Sequence, residues 1–73
     1  MRSREVCLPQ ILGARLRARR EERGLSLGEL ARRVSITPGA LSRLETGKIS
    51  PSVSTLRGLA VELRLSLDEL LAA

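Results

Sequence analysis

The sequence has 73 residues, 13 basic and 8 acidic side chains for a net charge of +5, and no Phe, Trp or Tyr. A chain of this length makes one small domain, whose core must come from Leu, Ile, Val and Ala and would gain stability from a partner subunit. No His, one Cys and one Asp are present. One cysteine cannot form an internal disulfide, and no pair of His, Cys or carboxylate residues has the spacing of metal ligands. Because the serines also lack a plausible base, we expect neither an enzyme nor a cofactor.

Twelve of the 13 basic residues are arginine, which favours a polyanionic partner. An arginine-rich solvated surface without a partner is the alternative. Five arginines could either flank a DNA backbone or form a solvated face, pairing with Glu21 or Glu29: Arg15, Arg17, Arg19, Arg32 and Arg33.

The sequence also indicates a compartment. No apolar segment reaches the ~20 residues that cross a bilayer, and the N-terminus lacks the apolar stretch of a secretory signal. A single cysteine, Cys7, fits a reducing compartment. It is either an incidental residue or a redox sensor whose thiolate is favoured by Arg2 and Arg4. We expect a cytoplasmic protein, associated with the nucleoid through DNA.

The chain begins with a segment, residues 1–8, that lacks a helical apolar period and is expected to be a flexible basic arm. One helical domain should follow over residues 9–73. Pro9 suits a helix start, and Gly24 suits the left-handed residue after a helix end. These signals predict a first helix over about residues 10–23.

The later helices are predicted from their start signals. Polar residues suited to helix N-caps are Ser26, Thr37, Ser52 and Ser66. The first and last of these have a glutamate three residues on, the spacing of a capping box. Apolar periodicity after each cap predicts helices over about 27–34, 38–45, 53–63 and 67–71. The expected fold class is therefore all-α, a compact domain of five helices.

The second and third helices are joined by the short turn Ser35-Ile36-Thr37, as in a helix-turn-helix. Ala31 and Ala40 are small enough for a close helix crossing. Apolar residues at 41 and 44 should point inward, leaving a small, polar and cationic outward face: Gly39, Ser42, Arg43 and Thr46. Arg43 is the side chain on this face that can form a bidentate pair with guanine in a major groove.

Several short motifs resemble the Cro/XRE helix-turn-helix family of bacterial and phage transcription regulators. They are G-L-S at 24–26, E-L-A at 29–31, L-S-R-L-E-x-G-K at 41–48 and S-L-D-E-L-L at 66–71. The resemblance covers about residues 10–71. It implies a lambda repressor-like domain that binds operator DNA as a two-fold dimer. Small controllers of restriction–modification operons are among the members of similar length.

The resemblance also implies roles for individual residues. Positions that read bases hold Pro38, Gly39, Ser42, Arg43 and Thr46. Positions that contact phosphates hold Ser26, Leu27, Ala40, Lys48, Ser50 and Ser52, several through backbone amides at helix N-termini. Leu27 replaces a glutamine common in the family, which predicts weaker clamping there. Arg20 and Glu45 are implied to form a structural ion pair.

The leucines outnumber what one small core needs, so we expect some of them at a dimer interface: Leu65, Leu67, Leu70 and Leu71. The expected function is a repressor or autoregulator that binds a pseudo-palindromic operator as a homodimer, without a small-molecule ligand. An antitoxin that autoregulates its operon is one alternative. A protein-interaction module without DNA binding is another, because Pro38 and Gly39 remove polar side chains from the first turn of the third helix.

Overall fold

The computed structural model describes the backbone of residues 2–71 and the side chains of residues 10–70. Its helices are α1 (Arg2–Glu22), α2 (Leu27–Arg33), α3 (Pro38–Glu45), α4 (Val53–Leu63) and α5 (Leu67–Leu71). No strand occurs within residues 2–71. The prediction of an all-α, five-helix fold is confirmed, and the last four helices begin at the predicted residues.

The first helix differs from its prediction, because α1 begins at Arg2 rather than near residue 10. Pro9 therefore lies inside the helix, where it has no N–H to donate to the carbonyl four residues earlier. Apolar periodicity reports which helix face is buried, so its absence over 1–8 did not exclude a helix. The mobility of a basic arm stays a prediction, and Cys7 lies outside the described side chains.

The predicted N-caps are present as hydrogen bonds. Ser26 Oγ accepts from the Glu29 N–H at 3.1 Å, and Glu29 Oε1 accepts from the Ser26 N–H at 2.8 Å. Ser66 and Glu69 form the same pair of bonds at 3.0 and 2.8 Å. Because each carboxylate accepts a backbone N–H in its charged form, the pKa of Glu29 and of Glu69 lies below its ordinary value.

Left-handed backbone angles occur at the ends of four helices. Gly24 has φ +69° and Gly47 has φ +78°, as their positions predicted. Ser35 and Arg64 also have positive φ, +61° and +56°, although each carries a Cβ atom. In the turn between α2 and α3, Ser35 therefore adopts a backbone conformation that is unfavourable for a residue with a Cβ atom.

The core is made of leucine and alanine side chains from all five helices: Leu16, Leu30, Ala31, Leu41, Leu44, Leu59, Ala60, Leu63 and Leu70. Leu70 is 1% exposed, so its predicted place at a dimer interface is wrong. The five-residue α5 packs this side chain against the core, so almost none of its surface is available to a partner. Leu65 is half-buried against the core, Leu67 is 38% exposed, and the Leu71 side chain is not described.

Helices α1 and α3 approach closely at Gly13, which is buried in α1. A Cβ atom at Gly13 would overlap with the backbone carbonyl oxygens of Leu44 and Glu45. The absence of a side chain at this position therefore allows the C-terminal end of α3 to lie against α1. The opposite face of α3 stays open to solvent.

Candidate nucleic-acid interface

Helix α3 has one buried face and one exposed face. Leu41 and Leu44 pack inward, with 0% and 4% of their surface exposed. All five residues with implied base-reading roles are exposed: Pro38, Gly39, Ser42, Arg43 and Thr46. We call these five residues the outward face of α3. The structure thus places four of them on the eight-residue helix α3, about 12 Å long, and the fifth, Thr46, at its C-cap.

An ion pair fixes the C-terminal end of this helix. Arg20 of α1 donates from Nε to Glu45 Oε2 at 2.7 Å and from Nη2 to Oε1 at 3.1 Å. This hydrogen-bonded carboxylate raises the pKa of Arg20 above its ordinary value. Glu45 is the only carboxylate of α3 and is 8% exposed. The outward face of α3 therefore carries no negative charge.

Two cationic side chains lie at and just beyond the end of α3. Arg43 and Lys48 are both exposed, and neither side chain forms a hydrogen bond or ion pair with residues 10–70. The Lys48 N–H donates to the Arg43 carbonyl at 2.9 Å, which keeps the loop folded against the helix end. Both charged groups are therefore free to contact an anionic or hydrogen-bonding ligand.

The two hydroxyl groups of the outward face, those of Ser42 and Thr46, differ in their hydrogen bonding. Thr46 Oγ1 donates to the Ser42 carbonyl at 3.0 Å, so its proton is engaged within α3. In this conformation Thr46 can accept but not donate a further hydrogen bond. The Ser42 hydroxyl has no partner among the described side chains, so it can do both.

The implied phosphate contacts lie at the N-terminal ends of helices and in the loop before α4. Leu27 is half-buried on the core, so only its backbone N–H is available, without a carbonyl partner in the helix. The Ala40 N–H already donates to Thr37 Oγ1 at 3.0 Å, so this implied donor is occupied. Ser52 Oγ caps α4, whereas Ser50 and Lys48 are exposed in the loop.

Two of the five arginines that the sequence left open have a structural role instead. Arg15 Nη1 donates to the Leu70 carbonyl at 3.0 Å, and Arg19 Nε donates to the Leu63 carbonyl at 2.9 Å. They satisfy carbonyls at the C-terminal ends of α5 and α4, which have no helical partner. Neither DNA contact nor a solvated face, the two roles that the sequence suggested, included this capping of carbonyls. The only local sign that Arg15 and Arg19 act together is that they lie four residues apart, on the same side of α1.

The other three arginines of this set are exposed on the surface. Arg17 pairs with Glu21 at 3.2 Å within α1, and Arg33 pairs with Glu62 at 3.6 Å between α2 and α4. Arg32 is exposed. Pairs with this exposure contribute little to stability. The predicted pairing with Glu21 is therefore present for Arg17, whereas Arg33 pairs with Glu62 rather than with Glu21 or Glu29.

A groove of about 510 Å³ lies between α1 and α5, and no residue of α3 lines it. Its walls are Arg15, Ala18, Arg19, Glu22, Leu65, Glu69 and Leu70. Among the described residues, no group of three or more His, Cys, Asp or Glu is placed to hold a metal ion. No helix in the described part of the chain has the length and apolarity needed to cross a membrane.

Five helices, a tight turn between the second and third, and an exposed face on the third define a helix-turn-helix protein. The family model described as "Helix-turn-helix domain" matches residues 11–73, and the chain belongs to that family. The similar proteins that follow are described as a transcriptional regulator, a gene regulator and a repressor. This placement confirms the resemblance noted from the sequence.

Three known proteins are similar to the chain. The HTH-type transcriptional regulator DdrOP3 of Deinococcus deserti is 42% identical over 57 residues, which cover 78% of this chain and 44% of that protein. The clp gene regulator ClgR of Corynebacterium glutamicum is 38% identical with a TM-score of 0.83, covering 88% of this chain and 68% of its own. The P22 c2 repressor, solved with a synthetic operator, is 32% identical with a TM-score of 0.82, covering 86% and 96%. The chain thus spans less than half the length of the curated relative.

Proposed function

We propose that the chain regulates transcription by binding double-stranded operator DNA, with α3 in the major groove. The observation that carries this proposal is the outward face of α3, which is exposed and lacks negative charge. On this face the Arg43 side chain has no hydrogen-bond or ion-pair partner among residues 10–70. A major groove about 12 Å wide admits such a helix. The likeness to the P22 c2 repressor, solved with a synthetic operator, supports a DNA partner.

Phosphates of the same duplex would be held on both sides of α3. Lys48 and Ser50 are exposed in the loop after α3, and the first turn of α2 offers the N–H groups of Leu27 and Gly28. Lysine neutralises a phosphate as a point charge, whereas amides at a helix N-terminus donate along the helix dipole. Phosphate contacts of this kind set the position of a protein on DNA without reading its sequence.

We place two copies of the chain on a pseudo-palindromic operator, as a repressor or autoregulator in the cytoplasm. Exposed apolar side chains support a dimer contact at the turn between α4 and α5, because Val61 is 74% and Leu67 is 38% exposed. Leu65 lies in that turn and is half-buried. A two-fold dimer would present two α3 helices about 34 Å apart, one turn of DNA.

Selection of bound duplexes from a random pool tests the DNA-binding proposal. We expect enrichment of a pseudo-palindrome whose half-sites are centred about 10 base pairs apart. Binding of the enriched duplex should weaken steeply as salt increases, because phosphate contacts release counterions. No enrichment, together with no affinity for any duplex at about 50 mM salt, would contradict the proposal.

Sedimentation of surface variants tests the dimer contact separately. Val61→Lys should weaken self-association, because it places a charge in the proposed contact. Val53→Lys is the matched control, since Val53 is 72% exposed and begins α4 at the opposite end. Equal association of both variants and the wild type would place the dimer contact elsewhere.

A further inference from the structure

Asp68 differs from every other carboxylate among the described side chains. The glutamates of residues 10–70 all form an ion pair or accept a backbone N–H: Glu21, Glu22, Glu29, Glu45, Glu62 and Glu69. Asp68 is exposed in the first turn of α5, and its side chain makes no hydrogen bond or ion pair with residues 10–70. Although the chain has a net charge of +5, this carboxylate is left available to a cation of a second molecule.

Arg64 ends α4 in a backbone conformation that favours glycine. Its φ is +56°, a left-handed angle that is unfavourable for a residue with a Cβ atom. The Arg64 side chain is exposed and has no hydrogen-bond or ion-pair partner among residues 10–70. Neither the geometry of the turn nor a contact within the described part of the chain therefore explains an arginine at this position.

These two charged residues lie close in sequence to two exposed apolar ones. Val61 and Arg64 are three residues apart at the end of α4, whereas Leu67 and Asp68 begin α5. Val61 is 74% and Leu67 is 38% exposed. We call these four residues the α4–α5 patch. Each helix contributes one apolar side chain and one charge, and the two charges are opposite, so the patch is complementary to a second copy of itself.

We infer that two copies of the chain join through their α4–α5 patches, with Arg64 of each copy forming an ion pair with Asp68 of the other. This inference rests on the proposed homodimer. Two-fold symmetry makes every contact occur twice, so the interface contains two such ion pairs. Val61 of each copy then lies against Leu67 of the other. A different register would bring like charges together, so the ion pairs set the relative orientation of the two copies.

Mixing two charge-reversed variants tests this pairing. Arg64→Asp alone places two carboxylates at each proposed contact, and Asp68→Arg alone places two arginines there. Each variant should self-associate about tenfold more weakly than the wild type, because both ion pairs are replaced by repulsion. An equimolar mixture should associate nearly as the wild type does, since each contact between unlike copies again joins a carboxylate to an arginine. Sedimentation velocity measures both effects, and a mixture that associates no better than its components would overturn the inference.

Arg57→Asp is the matched control for charge. Arg57 is also exposed on α4 without a side-chain partner among residues 10–70, and it lies about two helical turns before Arg64. This variant changes the net charge by the same amount as Arg64→Asp. Its mixture with Asp68→Arg should not regain the association of the wild type. Restored association in this control mixture would assign the partner of Asp68 to Arg57 and would overturn the inference.

Arg64→Gly separates self-association from folding. Glycine suits the left-handed angle, so the monomer at low concentration should melt at a higher temperature than the wild-type monomer. The same variant should self-associate about three- to tenfold more weakly, because both ion pairs are lost. This test remains decisive if Asp68→Arg, which places a cation in the first turn of α5, fails to fold. Association equal to that of the wild type would overturn the inference.

The two proposals fail in different ways. If the wild type dimerises but the charge-reversed variants and their mixtures all associate alike, only the pairing of Arg64 with Asp68 is wrong. If the wild type does not self-associate, either alone or on the enriched operator, the proposed homodimer itself is wrong.

Discussion

Arg20 of α1 and Glu45 of α3 form two hydrogen bonds, 2.7 and 3.1 Å long, while another guanidinium nitrogen of Arg20 donates to the Leu25 carbonyl at 2.9 Å. The side chains of the pair are only 12% and 5% exposed. One arginine therefore joins the end of α3 to α1 and to the turn before α2. The ion pair holds the helix that carries the outward face in a fixed position.

Glu45→Gln should lower the free energy of unfolding by about 3 kcal/mol, because it leaves the Arg20 charge buried without its partner. Urea unfolding measures this loss. Glu21→Gln is the control, since Glu21 pairs with Arg17 on the surface and should change stability by no more than about 0.5 kcal/mol. Similar losses in the two variants would show that burial of the Arg20–Glu45 pair has no special role.

The same substitution at two helical glycines should have opposite effects on stability. Gly13→Ala should destabilise the protein by about 1–3 kcal/mol, because its Cβ overlaps with the carbonyl oxygens of α3. Gly58→Ala should stabilise it by about 0.5–1 kcal/mol, because alanine is the better helix former and its Cβ makes an ordinary contact. Thermal unfolding of both variants measures the difference. A stabilised Gly13→Ala variant would contradict the close approach of α1 and α3.

Ser35→Gly should stabilise the turn between α2 and α3. Ser35 has φ +61°, a conformation in which a Cβ atom costs roughly 1 kcal/mol and glycine has no such penalty. We expect a gain in unfolding free energy of about that size in urea. Ser35→Ala keeps the Cβ atom and should show little gain, so equal gains in both variants would exclude backbone strain as the cause.

The capping boxes predict a loss of stability in acid. The pKa of Glu29 and of Glu69 is lower in the folded chain, since each charged carboxylate accepts a backbone N–H. Their contribution is therefore present above the unfolded pKa, about 4.3, and is lost as pH falls through the lower folded pKa.

A variant that combines Glu29→Gln with Glu69→Gln has no titrating group at these caps. Its melting temperature should be lower than that of the wild type near neutral pH, and the two should converge as the pH falls below about 4. Melting curves across this range measure the convergence. A constant difference at every pH would show that the two carboxylates do not couple to stability through protonation.

The starts of α2 to α5 could be predicted because their signals are local. Ser26 and Ser66 need only a glutamate three residues away to cap a helix. The end of α3 is equally local, since Gly47 supplies the left-handed residue. The start of α1 could not be predicted in this way, because the sequence of residues 2–8 has neither the spacing of a capping box nor a helical apolar period.

The remaining features depend on residues that are distant in sequence. The need for glycine at position 13 arises from the backbone of α3, which lies against α1 there. Arg15 donates to a carbonyl 55 residues away in the sequence. The burial of Leu70 likewise follows from how α5 folds back on α1 and α4. The outward face of α3 could be predicted from periodicity. That the Ser42 and Arg43 side chains have no partner among residues 10–70 could be seen only in the structure.

The binding of the enriched operator by Arg43→Ala and Lys48→Ala, over a series of salt concentrations and single base changes, tests the role of α3 most directly. Arg33→Ala is the control for charge, since Arg33 pairs with Glu62 away from α3. It should bind nearly as the wild type does.

Arg43→Ala should cost about 1–3 kcal/mol and remove the preference for one base pair, because it deletes a bidentate contact to guanine. Lys48→Ala should weaken all sequences alike and reduce the salt slope by about 0.9, the effect of one phosphate contact. If both changes instead weaken every sequence equally, Arg43 contacts the DNA backbone and the assignment of base reading to α3 is wrong.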